Sequence, residues 1–133
     1  MIGSRAVVED EAIATVVRLY IEGAANGDTA KLREAFHEHA REFGSLGGTL
    51  YDRPAAEMIE RGASSPLNSD GRYTAHITAI AQAGDVATAT VEEDGCWGTV
   101  SFTSFLSLAK IDGRWQIVAK VFAHVSGALP PSS

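Results

Sequence analysis

Cysteine is nearly absent from this chain. Cys96 stands alone, so no disulfide can close within the chain and no cysteine pair exists to hold a structural zinc. A chain of 133 residues buries about two-thirds of its unfolded surface and needs neither staple. Positive charge is also scarce. Eleven Lys and Arg stand against 17 Asp and Glu, for a net charge of -6. Such a surface repels polyanions, which argues against nucleic acid and anionic membranes as partners. Long apolar runs are missing as well. The longest uncharged stretch, Cys96 to Ala109, is short and dotted with Ser, Thr and Gly, which does not suit a bilayer span. Residues 1–10 turn acidic before any apolar run begins, unlike a secretory leader, so the expected location is the cytoplasm. Four prolines leave no linker and no low-complexity tract. The P-loop, the dinucleotide fingerprint, the G-x-S-x-G elbow and the H-E-x-x-H pair do not occur. The nearest approach to the last, His37-Glu38-His39, has the wrong spacing, and neither a metal nor a cofactor is expected.

Apolar residues make up 45% of the chain, and their spacing changes part-way along. Ile13, Val16, Val17, Tyr20, Ile21 and Ala24 follow helical spacing, with Glu9, Asp10 and Glu11 at the positive end of the dipole and Asn26-Gly27 as a stop. Asp28 is placed to cap a second helix over 29–39, with Leu32, Ala35 and Phe36 inward. Two short extended pieces flank Gly47-Gly48. Pro54, with Asp52 as cap, opens a third helix that carries Ala55, Met58 and Ile59 and stops before Ser64-Ser65-Pro66. From residue 72 onward the period is two. Strands are expected over 72–83, 86–94, 97–110 and 115–125, joined by tight turns at Gly84-Asp85 and Asp112-Gly113. The expected fold class is α+β: one domain with three N-terminal helices packed on a curved, mainly antiparallel sheet, followed by a frayed tail at 127–133.

Strict alternation in the last strand puts Trp115, Ile117, Ala119, Val121 and Ala123 toward the helices. Gln116, Val118, Lys120, Phe122 and His124 then face away. In the strand before it, Phe105 also points away from the helix side. A sheet with apolar groups on both faces has both faces covered. The expectation is a homodimer packed through the sheet, with Phe105, Val118, Lys120, Phe122 and His124 at the interface.

The order of elements, together with Val17-Arg18-Leu19-Tyr20, Gly27-Asp28, Ala35-Phe36-His37, Gly84-Asp85-Val86-Ala87 and Phe102-Thr103-Ser104-Phe105-Leu106-Ser107-Leu108 before Ile111-Asp112-Gly113-Arg114-Trp115, resembles the NTF2-like superfamily. Within it the chain is similar to SnoaL-like proteins, and most of all to the lumazine-binding group. The resemblance spans residues 8–125 and implies a cone-shaped fold with a pocket between helices and sheet. It implies a small hydrophobic or heteroaromatic ligand. The superfamily holds binding proteins as well as isomerases, dehydratases and cyclases, so fold alone does not name a reaction. By resemblance, Gly44 stands where a ketosteroid isomerase carries its base. Glu42 takes that place only after a two-residue shift of register. Tyr20 resembles a helix-borne donor, and Ser104 stands where related sequences carry Asp.

The candidate catalytic residues are therefore Tyr20, His37 and Glu42. The candidate pocket is Tyr20, Phe36, Phe43, Tyr51, Met58, Trp97, Phe102 and Ser104. Taken one at a time, each aromatic of this set reads first as core packing. Glu92, Glu93 and Asp94 read as a solvated turn, of which Glu92 and Asp94 share a face. Three functions stay open: a small-molecule-binding protein with an apolar, aromatic-lined pocket; an isomerase, dehydratase or cyclase acting on a small cyclic substrate; and a dimeric interaction module.

Overall fold

The computed structural model describes residues 9–130. Its order is α1 (Asp10–Asn26), α2 (Thr29–Ala35), β1 (Phe36–Leu46), β2 (Thr49–Pro54), α3 (Ala55–Ser64), β3 (Thr74–Ala83), β4 (Val86–Cys96), β5 (Val100–Ile111) and β6 (Arg114–Ser126). The strands form one six-stranded sheet in the order β2-β1-β6-β5-β4-β3. All neighbours are antiparallel except β1 and β6, which run parallel. The expected four-stranded meander is thus extended by a hairpin, and the first two strands precede α3. No helix among the described residues is long and apolar enough to cross a membrane.

Local chemistry sets most boundaries. Gly27 ends α1 at φ 68°, a left-handed position that suits glycine. Asp28 caps α2 by accepting from the Lys31 N–H at 3.2 Å. Pro54 sits at the N-cap of α3 and its ring offers no acceptor, so no side chain caps this helix; Asp52, expected as the cap, lies in β2 and pairs with Arg41 at 2.6 Å instead. The start of α1 is held by a side chain. Glu9 accepts from Lys110 Nζ at 3.0 Å and from Trp115 Nε1 at 3.2 Å, which ties the helix to β5 and β6.

The core lies between the helices and the inner face of the sheet. Ile13, Val17 and Tyr20 of α1 pack with Ala89, Val91, Leu106, Leu108 and Ile117. In β5 the buried row is Val100, Phe102, Ser104, Leu106 and Leu108.

Two irregularities correct the sequence reading. The helix expected to reach His39 ends at Ala35, and Phe36 already pairs with Ile117 of β6. Pairing resumes only at Arg41 with Ala119, so His37, Glu38 and His39 lie in an irregular stretch of β1. The second lies between β5 and β6. Ser107 pairs with Ala119 and Leu108 with Ile117, which leaves Val118 as the extra residue of a bulge. A bulge reverses the faces beyond it. Trp115 and Ile117 point to the core as expected, but past Val118 it is Lys120 and Phe122 that turn inward, while Val121 is 47% exposed on the outer face.

Candidate functional site

Register lays out the inner face of the sheet. Glu42 of β1 stands opposite Arg53 of β2 and opposite Lys120 of β6. Three charged residues therefore form one row across three neighbouring strands. Two residues further along each strand come Tyr51, Gly44, Phe122 and Ser104. Beyond Ser104, Phe102 of β5 pairs with Glu93 of β4. From these rows Glu42, Arg53, Lys120, Tyr51, Phe122, Phe102 and Glu93, with Tyr20 and Ala24 of α1 and Met58 and Arg61 of α3, line an open cavity of about 640 Å³. Ligand pockets commonly measure about 300–1,000 Å³.

Glu93 is 1% exposed. Its carboxylate accepts the Tyr73 hydroxyl at 2.8 Å, the Ser104 hydroxyl at 3.1 Å, and the Tyr20 hydroxyl at 3.2 Å from each oxygen. A buried carboxylate is tolerated only with such a set of donors. Burial first, and then the Glu93 carboxylate, push the Tyr20 and Tyr73 phenols above their ordinary range. Both remain hydroxyl donors at neutral pH. The same two causes push the Cys96 thiol up to about 12, so it is no nucleophile at neutral pH.

Glu42 is 2% exposed. Arg53 Nε donates to one of its oxygens at 2.7 Å, and Lys120 Nζ lies 3.2 Å from the other. Burial pushes the Glu42 carboxyl up, but Lys120 and Arg53 together outweigh it and hold the group below its usual range. Lys120 Nζ also lies 5.0 Å from the centre of the Tyr20 ring, 5.1 Å from that of Phe122 and 3.8 Å from Met58 Sδ.

The remaining wall is aromatic. Trp97 meets Phe102 edge-on at 5.9 Å, Phe102 meets Phe122 edge-on at 5.6 Å, and Tyr51 lies 6.5 Å from Phe122. Trp97 is held at φ 53°, an uncommon conformation for a bulky residue. It is fixed there by its backbone N–H to the Leu67 carbonyl at 2.8 Å and by its indole N–H to the Ser65 carbonyl at 3.2 Å. Gly44 leaves room for Phe122, whose ring and carbonyl a Cβ at that position would strike.

Residues 8–123 match the family described as "Putative lumazine-binding". The chain belongs to this family. Its solved NTF2-like relatives share the fold. An NTF2-like protein of unknown function from Methylobacillus flagellatus KT is 30% identical, covers 91% of this chain and 97% of its own, and superposes with a TM-score of 0.81. A second, from Shewanella baltica OS155, is 29% identical over 86% of this chain and 91% of its own, with a TM-score of 0.76. Aldolase FrzH from Cladobotryum sp. is 27% identical over 114 residues, covering 86% of this chain and 90% of its own.

In this member of the lumazine-binding family, the residues singled out from sequence separate into groups. Tyr20, Tyr51, Met58, Trp97 and Phe102 line the cavity, as does Glu42. No shift of register is needed for Glu42, because it shares the inner face with Gly44 two positions on. Ser104 is fully buried behind the lining, where it serves Glu93. Phe36 belongs to the core and packs edge-on against Tyr20 at 5.9 Å. Phe43 is 45% exposed on the outer face and lines nothing. His37 stays outside the cavity, with its Nδ1 accepting the His39 N–H at 3.0 Å. Lys120 and Phe122, expected on the partner-facing side, line the cavity instead. His124 packs on Phe102 at 5.9 Å and accepts the Gly47 N–H at 3.1 Å. The expected solvated turn at Glu92-Glu93-Asp94 is strand, and the buried member is Glu93. Sequence reasoning missed Glu93, Tyr73 and Arg53 and misplaced Lys120. Glu93 did carry a signal: the inward series Ala87, Ala89, Val91 continues onto it by period two. Among the described residues, no group of three or more His, Cys, Asp or Glu is placed to hold a metal ion.

Proposed function

We propose that the cavity binds a small cyclic compound bearing a carbonyl group and moves a proton at the carbon next to that carbonyl. One observation carries this reading. A buried carboxylate with three hydroxyl donors, Glu93, shares a 640 Å³ cavity with a second buried carboxylate, Glu42, held between the partly buried cations Arg53 and Lys120. A passive pocket for an apolar ring needs few polar groups, whereas buried charges cost stability and concentrate where chemistry uses them. Glu93 is the base. Once it carries the proton it no longer needs every hydroxyl donor, and a tyrosine hydroxyl turns to the developing enolate oxygen. The cationic side of the row, Arg53 and Lys120, faces the same space and favours that negative charge. The aromatic wall of Trp97, Phe102 and Phe122 suits the ring. The name of the curated relative supports the reading, because an aldol reaction begins with such a proton transfer.

The same aromatic wall favours a second reading, a protein that binds a flat heteroaromatic ring without turning it over; the family's description supports this one. A thermal-shift screen with flavins, pterins and polycyclic ketones finds the ligand class. Solvent deuterium uptake next to the carbonyl of a stabilising ketone, followed by NMR, then separates the two. We expect uptake in the wild type and a loss of about 10²-fold or more in E93Q, the contribution typical of a positioned base. Tight binding with no uptake would favour the second reading.

The reading includes a second copy of the chain on the outer face of the sheet. Phe43 pairs with Val121, and Val121 with Phe105, so these exposed apolar side chains form one row across β1, β6 and β5. This row replaces Lys120, Phe122 and His124 as the proposed contact surface.

A further inference from the structure

Proton transfer by Glu93 uses Lys120 only for its charge, yet the surroundings of this lysine are unlike those of the others. Its side chain is 12% exposed, and its Nζ faces two aromatic rings and a thioether. Its one carboxylate, Glu42, is already held by Arg53 at the shorter distance of 2.7 Å. The chain's other lysines lie in wetter pairs of their own. Lys31 pairs with Glu22 at 2.7 Å with 41% of its side chain exposed, and Lys110 pairs with Glu9 at 3.0 Å with 30% exposed. Lysines desolvated in apolar pockets are those that enzymes use as nucleophiles toward carbonyl carbon.

We propose that Lys120 forms an imine with a carbonyl compound bound in this cavity. The inference deepens the carbonyl reading given above and rests on it. The step balances without an oxidant or reductant. The ammonium passes one proton to a cavity carboxylate, and the freed amine pair attacks the carbonyl carbon while the C=O π pair moves to oxygen. That oxygen takes a second proton from the nitrogen and then the one held by the carboxylate, and it leaves as water. The iminium nitrogen keeps one proton and the positive charge, so the pairing with Glu42 survives the covalent state. Arg53 holds Glu42 in place throughout. The iminium makes the neighbouring C–H more acidic, which is the proton that Glu93 removes.

Pentane-2,4-dione is the probe. It condenses with a nucleophilic amine to a stable vinylogous amide that absorbs in the near ultraviolet, and peptide mass mapping reports which of the three lysines carries it. We expect Lys120 to be labelled about tenfold or more faster than Lys31 and Lys110. K120R keeps a cation beside Glu42, so it should retain the fold, lose the fast label, and slow deuterium uptake by cyclohexanone about 10²-fold. Equal labelling of the three lysines, or slowest labelling at Lys120, overturns the imine. Uptake in K120R at the wild-type rate also overturns it and leaves proton transfer by Glu93 standing. Fast labelling of Lys120 in a wild type that exchanges no ketone proton supports the nucleophile and sinks the carbonyl reading beneath it.

Discussion

Replacing Glu42 with Gln keeps the shape of the row and removes its one negative charge. Arg53 and Lys120 are then left facing each other with 18% and 12% of their side chains exposed. Breaking a buried pair from one side costs about 3–5 kcal/mol. The residual water access of both cations places this case at the lower end, about 3 kcal/mol. For a chain of this length that corresponds to a fall of about 10 °C in Tm. The sign of the pH dependence follows from the direction of the Glu42 shift. Its folded-state pKa is depressed, so its contribution is fully present above the ordinary carboxylate value of about 4.3 and is lost as pH falls through the lower folded value. The gap between wild type and E42Q is therefore full at neutral pH and closes on acidification below about pH 4. Chemical denaturation monitored by tryptophan fluorescence, run at a series of pH values, measures it. The double variant E42Q/K120M removes one stranded cation and should recover part of the loss, with a coupling of about 0.5–3 kcal/mol. Equal stability of E42Q and wild type at neutral pH, or a gap that does not close in acid, would refute the argument.

Alkaline stability gives a second test. The Tyr20 and Tyr73 phenols are raised by burial and by Glu93, so their contribution is whole below about pH 10 and is lost above it, by about 1.4 kcal/mol per pH unit for each. Y73F should make the alkaline limb of a urea-denaturation series shallower by about that amount per unit; an unchanged limb would remove Tyr73 from the account. On the outer face, V121K places a charge at the centre of the row Phe43–Val121–Phe105. Light scattering should then report a monomer where the wild type reports a dimer, and a monomeric wild type ends the proposal. G44A forces a methyl into Phe122 and should cost about 1–3 kcal/mol by overpacking, read as a lowered Tm.

Much of the fold is legible in the residues, because α1, α3, β4 and β5 each carry a readable period along most of their length. What is not legible comes from partners distant in sequence. Ala35-Phe36-His37-Glu38-His39 is acceptable as helix, but pairing of Phe36 and then Arg41 with β6 makes this stretch strand, a tertiary contact overriding local preference. In β6 the alternation is sound up to Ile117 and inverted after Val118. Nothing in Gln116-Ile117-Val118-Ala119 announces the bulge, since every residue there suits either face. Strict alternation therefore puts Lys120 and Phe122 on the wrong side. Glu93 was hidden differently. Three acidic residues in a row resemble a solvated turn, although two-residue counting from Ala87 already placed the middle one inside.

The ion row has a consequence for the order in which the cavity wall assembles. Arg53 and Glu42 belong to one short hairpin and meet early as the chain emerges during synthesis. Lys120 lies on β6, the last strand, and reaches Glu42 only through the parallel β1–β6 junction. Such non-local pairing carries the largest loop-closure cost and forms late. Until it forms, the hairpin pair remains an ordinary solvated contact and Lys120 an ordinary solvated amine. A nascent or C-terminally clipped chain therefore carries α1 to α3 yet lacks the Arg53–Glu42–Lys120 row, which exists only once β6 has closed the sheet onto β1.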